Sequence, residues 1–341
     1  MEQAYGPSIR QRSTRCSRFI HADLRFSSEK RTILTCLYPD SPSCPIAQTI
    51  KECLMKRYVW PSGCHSSFSF TIDVDAESPQ IWRSRATGIK GLNQLEQRRY
   101  GLREGIFNLL DLLERYGVRA TCFVPGFEAA TRPWLLEALA ARGHEVGLHC
   151  WYHEVVADLS AGRFREILEK CIELFESTLG SRPVGFRSPS WEMTPESLEV
   201  LADLGILYDS SLSGYDHPYE LGGMTEIPIQ WPMDDAIFFR FVGGGADHWQ
   251  PASTAAQCES WIAHTMNICR FGGAAVSTMH PWLTGRPGRL PLAEALLEHV
   301  SSVKGIWIAT LAEIAAYHNN SVNKGSFGES AEIPSLPDGY F

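Results

Sequence analysis

Two aspartates one residue apart, Asp73 and Asp75, close an apolar stretch that begins Ser66-Ser67-Phe68-Ser69-Phe70. Side chains alternate along a strand, so the two carboxylates share a face. At the end of a buried strand they repel each other unless a cation or a proton compensates. The stretch is therefore either an acidic, solvated turn or a pair in which one carboxylate binds a metal and the other moves a proton. Glu77, two residues on, has no assigned role and is expected to face solvent or an adjacent loop.

Four further groups have types and spacings suited to the same chemistry. His149 and His153 are an i, i+4 pair, which a helical turn would place on one face within reach of one ion. Two histidines and a carboxylate, with positions left for water, suit Zn²⁺ and also Fe²⁺, Mn²⁺ or Co²⁺. Arg187 closes the apolar run Val184-Gly185-Phe186, where its charge needs a partner, and Asp73 is a candidate. Nearby Trp191 either walls a pocket or sits in the core. Asp209 ends the short strand Leu207-Tyr208-Asp209 and either caps a turn or orients a histidine. His280 follows the apolar Ala274-Ala275-Val276 stretch and is either structural or, as a fifth polar element at one edge, a general acid.

These groups gain meaning from the elements that carry them. Strand patterns at 120–124, 145–149, 184–187, 207–209, 225–229, 275–279 and 306–310 alternate with helix patterns at 103–116, 131–142, 161–179, 194–204, 252–270 and 290–301. Alternating β and α over some 250 residues predicts an α/β fold with a parallel sheet, closed or open. In such folds the carboxyl ends of the strands build the active site, and the polar groups above all fall there.

Composition narrows the class. The formal charge of −8 on 341 residues gives no general argument for nucleic acid or an anionic membrane as partner. Residues 1–60 carry ten Lys/Arg against five Asp/Glu, a net of +5, which leaves −13 for the rest. Residues 1–55 show no sustained periodicity and read as a poorly ordered or atypical extension. The barrel is expected over 56–317 as a single domain, with a flexible tail at 318–341 rich in Asn, Ser, Gly and Pro. The ten cysteines form no CxxC pair, the start lacks the apolar core of a secretory signal, and no apolar run reaches the roughly 20 residues of a membrane helix. Reduced thiols and a cytoplasmic location are the expectation.

Taken in chain order, Thr71-Ile72-Asp73-Val74-Asp75, His149-x-x-x-His153, Arg187-x-Pro189-x-Trp191, Tyr208-Asp209-x-Ser-Leu and Met279-His280-Pro281 resemble the five motifs of the polysaccharide deacetylase (NodB-homology) family. The form Asp-Val-Asp-Ala-Glu, with Glu226-Ile227-Pro228 and Trp231-Pro232-Met233-Asp234-Asp235 downstream, is similar to the cytoplasmic peptidoglycan-deacetylase-like and allantoinase-like subgroup. The resemblance implies a distorted (β/α) barrel holding one divalent metal, with Zn²⁺ favoured. By the motif match Asp75, His149 and His153 would bind the metal. Asp73 would be the general base, His280 the general acid, Arg187 the group that holds Asp73, and Asp209 the one that orients His280. Trp191, Trp231 and Trp282 are candidate pocket walls.

The implied activity is a metal-dependent amidohydrolase cleaving an N-acyl group of an amino sugar or a small linear or cyclic amide. An O-acetyl esterase on the same site and a catalytically silent binding barrel are the alternatives. A small-molecule or oligosaccharide substrate and a homo-oligomer are expected, with specificity carried by loops 78–102 and 213–224. No nucleic-acid or membrane partner is expected.

Overall fold

The computed structural model describes residues 57–241 and 251–334. The extension expected over 1–55 lies outside the described residues. From Arg57 the chain forms one compact unit.

The first strand, β1 (Ser66–Asp73), is buried along its whole length. Its alternation gives it two different faces. Phe68, Phe70 and Ile72 pack into the main core between sheet and helices. Ser69 and Thr71 point the other way and are satisfied by backbone: Ser69 Oγ donates to the Ala309 carbonyl at 2.8 Å, and Thr71 Oγ1 to that of Ser277 at 2.7 Å. A second, smaller core of Phe123, Tyr208, Ile227, Val276 and Leu311 fills that opposite side.

Parallel strands β2 (Thr121–Val124), β3 (Glu145–Leu148), β4 (Gly185–Phe186) and β5 (Tyr208–Asp209) follow β1 in order across the sheet. On the far side of β1 lies β8 (Ala274–Met279). The short β6 (Tyr219–Leu221) and β7 (Met224–Glu226) are antiparallel to each other, and β7 runs parallel to β5. The start of β1 pairs with β9 (Ile306–Ile308), whereas its end pairs with β2. Closure between β7 and β8 is made by a side chain. The Gln230 carboxamide donates to the Ala274 carbonyl at 3.0 Å and accepts from Val276 N at 2.8 Å, and Asp234 then bridges to Thr278. The result is the expected distorted (β/α) barrel, curled rather than fully closed. The strands therefore deliver Asp73, Val124, Leu148, Phe186, Asp209 and Met279 to one rim.

Three expectations need correction. The helix expected over 131–142 begins at Trp134 and runs to Ala141, with Pro133 at its N-cap, and a separate helix Gly126–Thr131 precedes it. The stretch 78–102, expected as loop, contains helices Ser78–Arg83 and Leu92–Tyr100. The tail expected to be loose from His318 is packed down as far as about residue 329. Helix Leu311–Asn320 includes His318, Asn323 and Phe327 are buried, and β10 (Gly328–Glu329) pairs with β6.

The helical segment through Gly101 and Gly105 lies backbone-to-backbone on the turn after His280. A Cβ at Gly105 would fall 2.0 Å from the Pro281 carbonyl oxygen, and one at Gly285 2.5 Å from the Gly105 carbonyl. Gly105→Ala is therefore expected to cost about 1–3 kcal/mol through overpacking. A melting curve indistinguishable from the parent's would contradict this contact.

Candidate metal and catalytic site

The rim opens into a cavity of about 730 Å³ whose lining includes Asp73, Asp75, His153, Asp234 and His280, with Trp191, Trp231 and Trp282 as aromatic walls. Trp191 and Trp231 meet with ring centroids 4.5 Å apart. Trp191 is held there by a turn in which it and Ser190 both take left-handed backbone angles (φ 58° and 64°), uncommon for residues other than glycine.

Arg187 is fully buried and spends its guanidinium on five oxygens. Nη1 reaches Asp73 Oδ1 at 2.9 Å, Thr71 Oγ1 at 2.7 Å and Thr278 Oγ1 at 3.3 Å, while Nε and Nη2 bind the Ser210 carbonyl and hydroxyl at 2.9 and 3.1 Å. Phe123 lies under the guanidinium at 4.3 Å. The structure thus joins Arg187 to Asp73, the partner named from sequence.

The histidine pair does not sit on a helical turn. Residues 149–153 form a tight turn in which Cys150 (φ 55°) and His153 (φ 63°) are left-handed. The Glu154 carboxylate stabilises it by accepting from Trp151 N and Tyr152 N at 3.0 and 2.7 Å. The rings still converge, edge to face with centroids 5.0 Å apart. His149 Nδ1 lies 2.8 Å from the Arg187 carbonyl, which can only accept, so Nδ1 carries the proton. Burial pushes the His149 and His153 pKa values down, so both rings are neutral near pH 7. The lone pair of His149 Nε2 then has no protein partner, and Asp75 Oδ1 accepts no hydrogen bond. These two buried acceptors suit a cation, and His153, with Nε2 3.9 Å from Asp75 Oδ2, supplies the third donor of a His₂Asp set of the kind divalent metals take, although the donor atoms of all three do not lie within 4.8 Å of one another.

Asp75 is enclosed by charge. Arg98 Nη1 donates to its Oδ2 at 3.0 Å, and His280 Nε2 stands 3.5 Å from Oδ1. Burial alone would raise the Asp75 pKa, but positive neighbours outweigh it and hold the group well below the usual carboxylate range. With His149 and His153 neutral, His280 and Arg98 are the charges that do so near pH 7.

His280 is oriented by Asp235, not by Asp209. Its Nδ1 lies 2.6 Å from Asp235 Oδ1, while Asp235 Oδ2 accepts the His280 backbone N–H at 2.9 Å and also binds Thr284. Burial disfavours the His280 cation, yet Asp75, Asp235 and Asp234 outweigh it and raise its pKa to about 10. Asp209 lies elsewhere. It is the register partner of Glu226 across β5 and β7, and its Oδ1 accepts from Ser211 Oγ at 2.7 Å. Burial, above all, pushes both carboxyls up, Glu226 well above its ordinary range.

Among the described residues, one group of three ligand-type side chains has its donor atoms within 4.8 Å of one another: Asp234, Asp235 and His280. Hydrogen bonding accounts for it. Both Asp235 oxygens are taken, His280 Nδ1 is committed to Asp235, and Asp234 Oδ1 accepts from Ala236 N. Burial, above all, pushes the Asp234 carboxyl up to about 7.

Sequence reasoning missed the roles of Asp235 and Arg98. Two adjacent carboxylates directly after Trp231-Pro232-Met233 were a usable signal for the first, whereas nothing in Gln97-Arg98-Arg99 marked the second. Glu77 is likewise no bystander, since it ion-pairs with Arg99 and Arg132. Of the two loops expected to carry specificity, 78–102 sends Arg83 and Arg98 into the cavity wall and 213–224 sends nothing. The six described cysteines are all free thiols. No helix among the described residues is long and apolar enough to cross a membrane.

Residues 100–208 match the polysaccharide deacetylase family model. A peptidoglycan deacetylase-like protein of Gibberella zeae is 37% identical over 205 residues, half of this chain and 60% of that one. The peptidoglycan deacetylase of Helicobacter pylori is 26% identical, over 72% of this chain and 94% of its own. A Mycobacterium smegmatis protein assigned to the polysaccharide deacetylases has a crystal structure that superposes with a TM-score of 0.74. It is 33% identical and covers 82% of this chain and 98% of its own. The Puue allantoinase shares the fold, with a TM-score of 0.67 at 19% identity over 77% of this chain and 93% of its own.

The charges around His280 make stability pH-dependent in a defined direction. Its folded pKa of about 10 exceeds the roughly 6.5 of an unfolded histidine. In chelator-treated protein the resulting stability is present in full below that lower value and is lost as pH rises through the higher one. Melting temperatures across this window should fall with pH, and His280→Gln should flatten the slope. An unchanged slope in the variant would assign it to other groups.

Proposed function

The chain belongs to the polysaccharide deacetylase family, and on that footing we propose that it is a metal-dependent hydrolase of a non-peptide carbon–nitrogen bond, removing an acyl group from an amino sugar or opening a small amide. The observation that carries this reading is the pair of orphaned buried acceptors, His149 Nε2 and Asp75 Oδ1, beside a carboxylate locked to a buried arginine. Asp75, His149 and His153 would hold the ion, with Zn²⁺ the first candidate for a His₂Asp set. When bound, the metal lowers the pKa of a coordinated water and polarises the substrate carbonyl.

The protein's own groups do the rest. Asp73 lines the cavity with one oxygen committed to Arg187, so its carboxylate is fixed in place to take a proton from the attacking water. Arg187 cannot surrender a proton, so Asp73 keeps its partner throughout. His280 enters protonated, with Nδ1 anchored on Asp235 and Nε2 directed at the site. As the carbon–nitrogen bond breaks, it donates its proton to the departing nitrogen and becomes neutral imidazole; release of the proton held by Asp73 and reprotonation of His280 then restore the site. An amine leaves only when protonated, whereas an alkoxide from an O-acetyl ester needs less help. A histidine held as a cation favours the amide reading over the esterase. The tryptophan walls exclude water and offer flat apolar faces of the kind that receive sugar rings.

Elemental analysis should find about one divalent ion per chain, lost in Asp75→Ala and in His149→Ala. Asp73→Asn should keep the metal and lose about 10²–10⁴-fold in kcat toward N-acetyl substrates. A fully active Asp73→Asn enzyme would sink this mechanism, and O-acetyl substrates turned over faster than N-acetyl ones would return the esterase.

A further inference from the structure

Three arginines line the cavity, and among the described residues only one of them has an anion within ion-pair distance. Arg98 is spent on Asp75 and stacks on Trp282 at 4.6 Å. Arg83, at the end of helix Ser78–Arg83, and Arg240, just after helix Ala236–Phe239, make no side-chain hydrogen bond or ion pair with any described residue. They stand close enough to Arg98 for their charges to be felt.

The carboxylates in the cavity do not balance them. Asp73 is matched by Arg187 and Asp75 by Arg98. Asp234 is half-protonated near neutral pH and faces the His280 cation at 3.7 Å. The cavity thus carries surplus positive charge on one side, although the chain as a whole is acidic at −8. A bound divalent ion would increase that surplus.

We infer that Arg83 and Arg240 form an anion subsite, so that the substrate is a small acylated amine bearing a carboxylate or phosphate. This rests on the hydrolase reading for the reaction but not for the binding. The geometry divides the cavity by task. Arg83 and Arg240 are exposed and stand at the mouth, whereas Asp73, Asp75 and His280 are buried at the floor. A ligand whose charge sits at the mouth presents its acyl group to the floor. A volume of about 730 Å³ suits one or two sugar units. Guanidinium forks pair bidentately with both anion types, which gives the subsite direction as well as charge.

Two probe pairs test this, each differing only in an anionic group: N-acetylmuramic acid against its methyl ester, and N-acetylglucosamine 1-phosphate against N-acetylglucosamine. Binding is followed in chelator-treated protein by quenching of tryptophan fluorescence, and turnover in the zinc-loaded enzyme. The anionic member of at least one pair should bind about 10–100-fold more tightly, as expected for charge-assisted pairing. Preference in the first pair marks a carboxylate, and in the second a phosphate. The Arg83→Gln/Arg240→Gln variant should bring the ratio close to one, and Arg240→Lys should retain most of it. No anion preference in either pair, or a preference that survives the double variant, overturns the subsite. Arginine-dependent binding without turnover leaves the subsite standing and removes the hydrolase. Turnover without anion preference does the reverse.

Discussion

The buried contact between Arg187 and Asp73 is the constraint that the rim is built around. A fully buried guanidinium is tolerable only when its donors are answered, and breaking such a pair costs about 3–5 kcal/mol because the remaining charge is left unpaired. The answers come from three strands at once, Asp73 and Thr71 on β1, Thr278 on β8 and Ser210 just after β5, while Arg187 itself follows β4. The side chain therefore ties together strands that the sheet ladder does not join directly. Its carbonyl also accepts from His149 Nδ1, so the same residue that fixes the proposed base fixes the tautomer of a proposed ligand. Displacing Arg187 would disturb both functions together, which is why its role is positional and not separable from the fold.

Much of this was legible because strand patterning is strong here. Apolar runs of four to six residues, each closed by a polar residue, located β1, β2, β3 and β8, and with them Asp73, His149 and His280. Pairing Arg187 with Asp73 needed only the premise that a charge ending an apolar strand must find a counter-charge. What could not be read were contacts set by segments without a period. Arg98 comes from a helix with little apolar face, and its approach to Asp75 depends on how residues 78–100 fold across the rim. Asp209 was assigned to His280 because both end strands, yet strand order puts Asp209 beside Glu226 and leaves β8 on the opposite side of β1. The residue that reaches His280 instead arrives from the irregular chain after β7.

The histidine turn shows how a correct inference can rest on the wrong geometry. An i, i+4 spacing suggested a helical face, but helical residues 149–153 would have carried the chain away from the rim. Left-handed angles at Cys150 and His153 fold it back so that both rings meet. Such angles cost of order 1–3 kcal/mol each for residues other than glycine. The Glu154 hydrogen bonds and the complete burial of Cys150 in the core help to offset that cost. Strain concentrated where two imidazoles converge is what a preorganised donor pair requires.

Charge decides which carboxylate is free to serve a cation. Asp235 is saturated by hydrogen bonds, and Asp73 has one oxygen committed to Arg187, which fixes it as a base and not as a ligand. Asp234 lies beside His280, and burial raises its pKa to about 7, so near neutral pH it is only partly ionised. Asp75 alone is ionised by its neighbours, carries an oxygen that accepts no hydrogen bond, and lies near His153. Its present partners are an arginine and a protonated histidine, both cations, which is the complement a carboxylate shows when its position is suited to positive charge. Because His280 Nε2 stands 3.5 Å from Asp75 Oδ1, a cation held by Asp75 would weaken the histidine's hold on its proton, which would help the imidazolium give that proton up to a leaving amine.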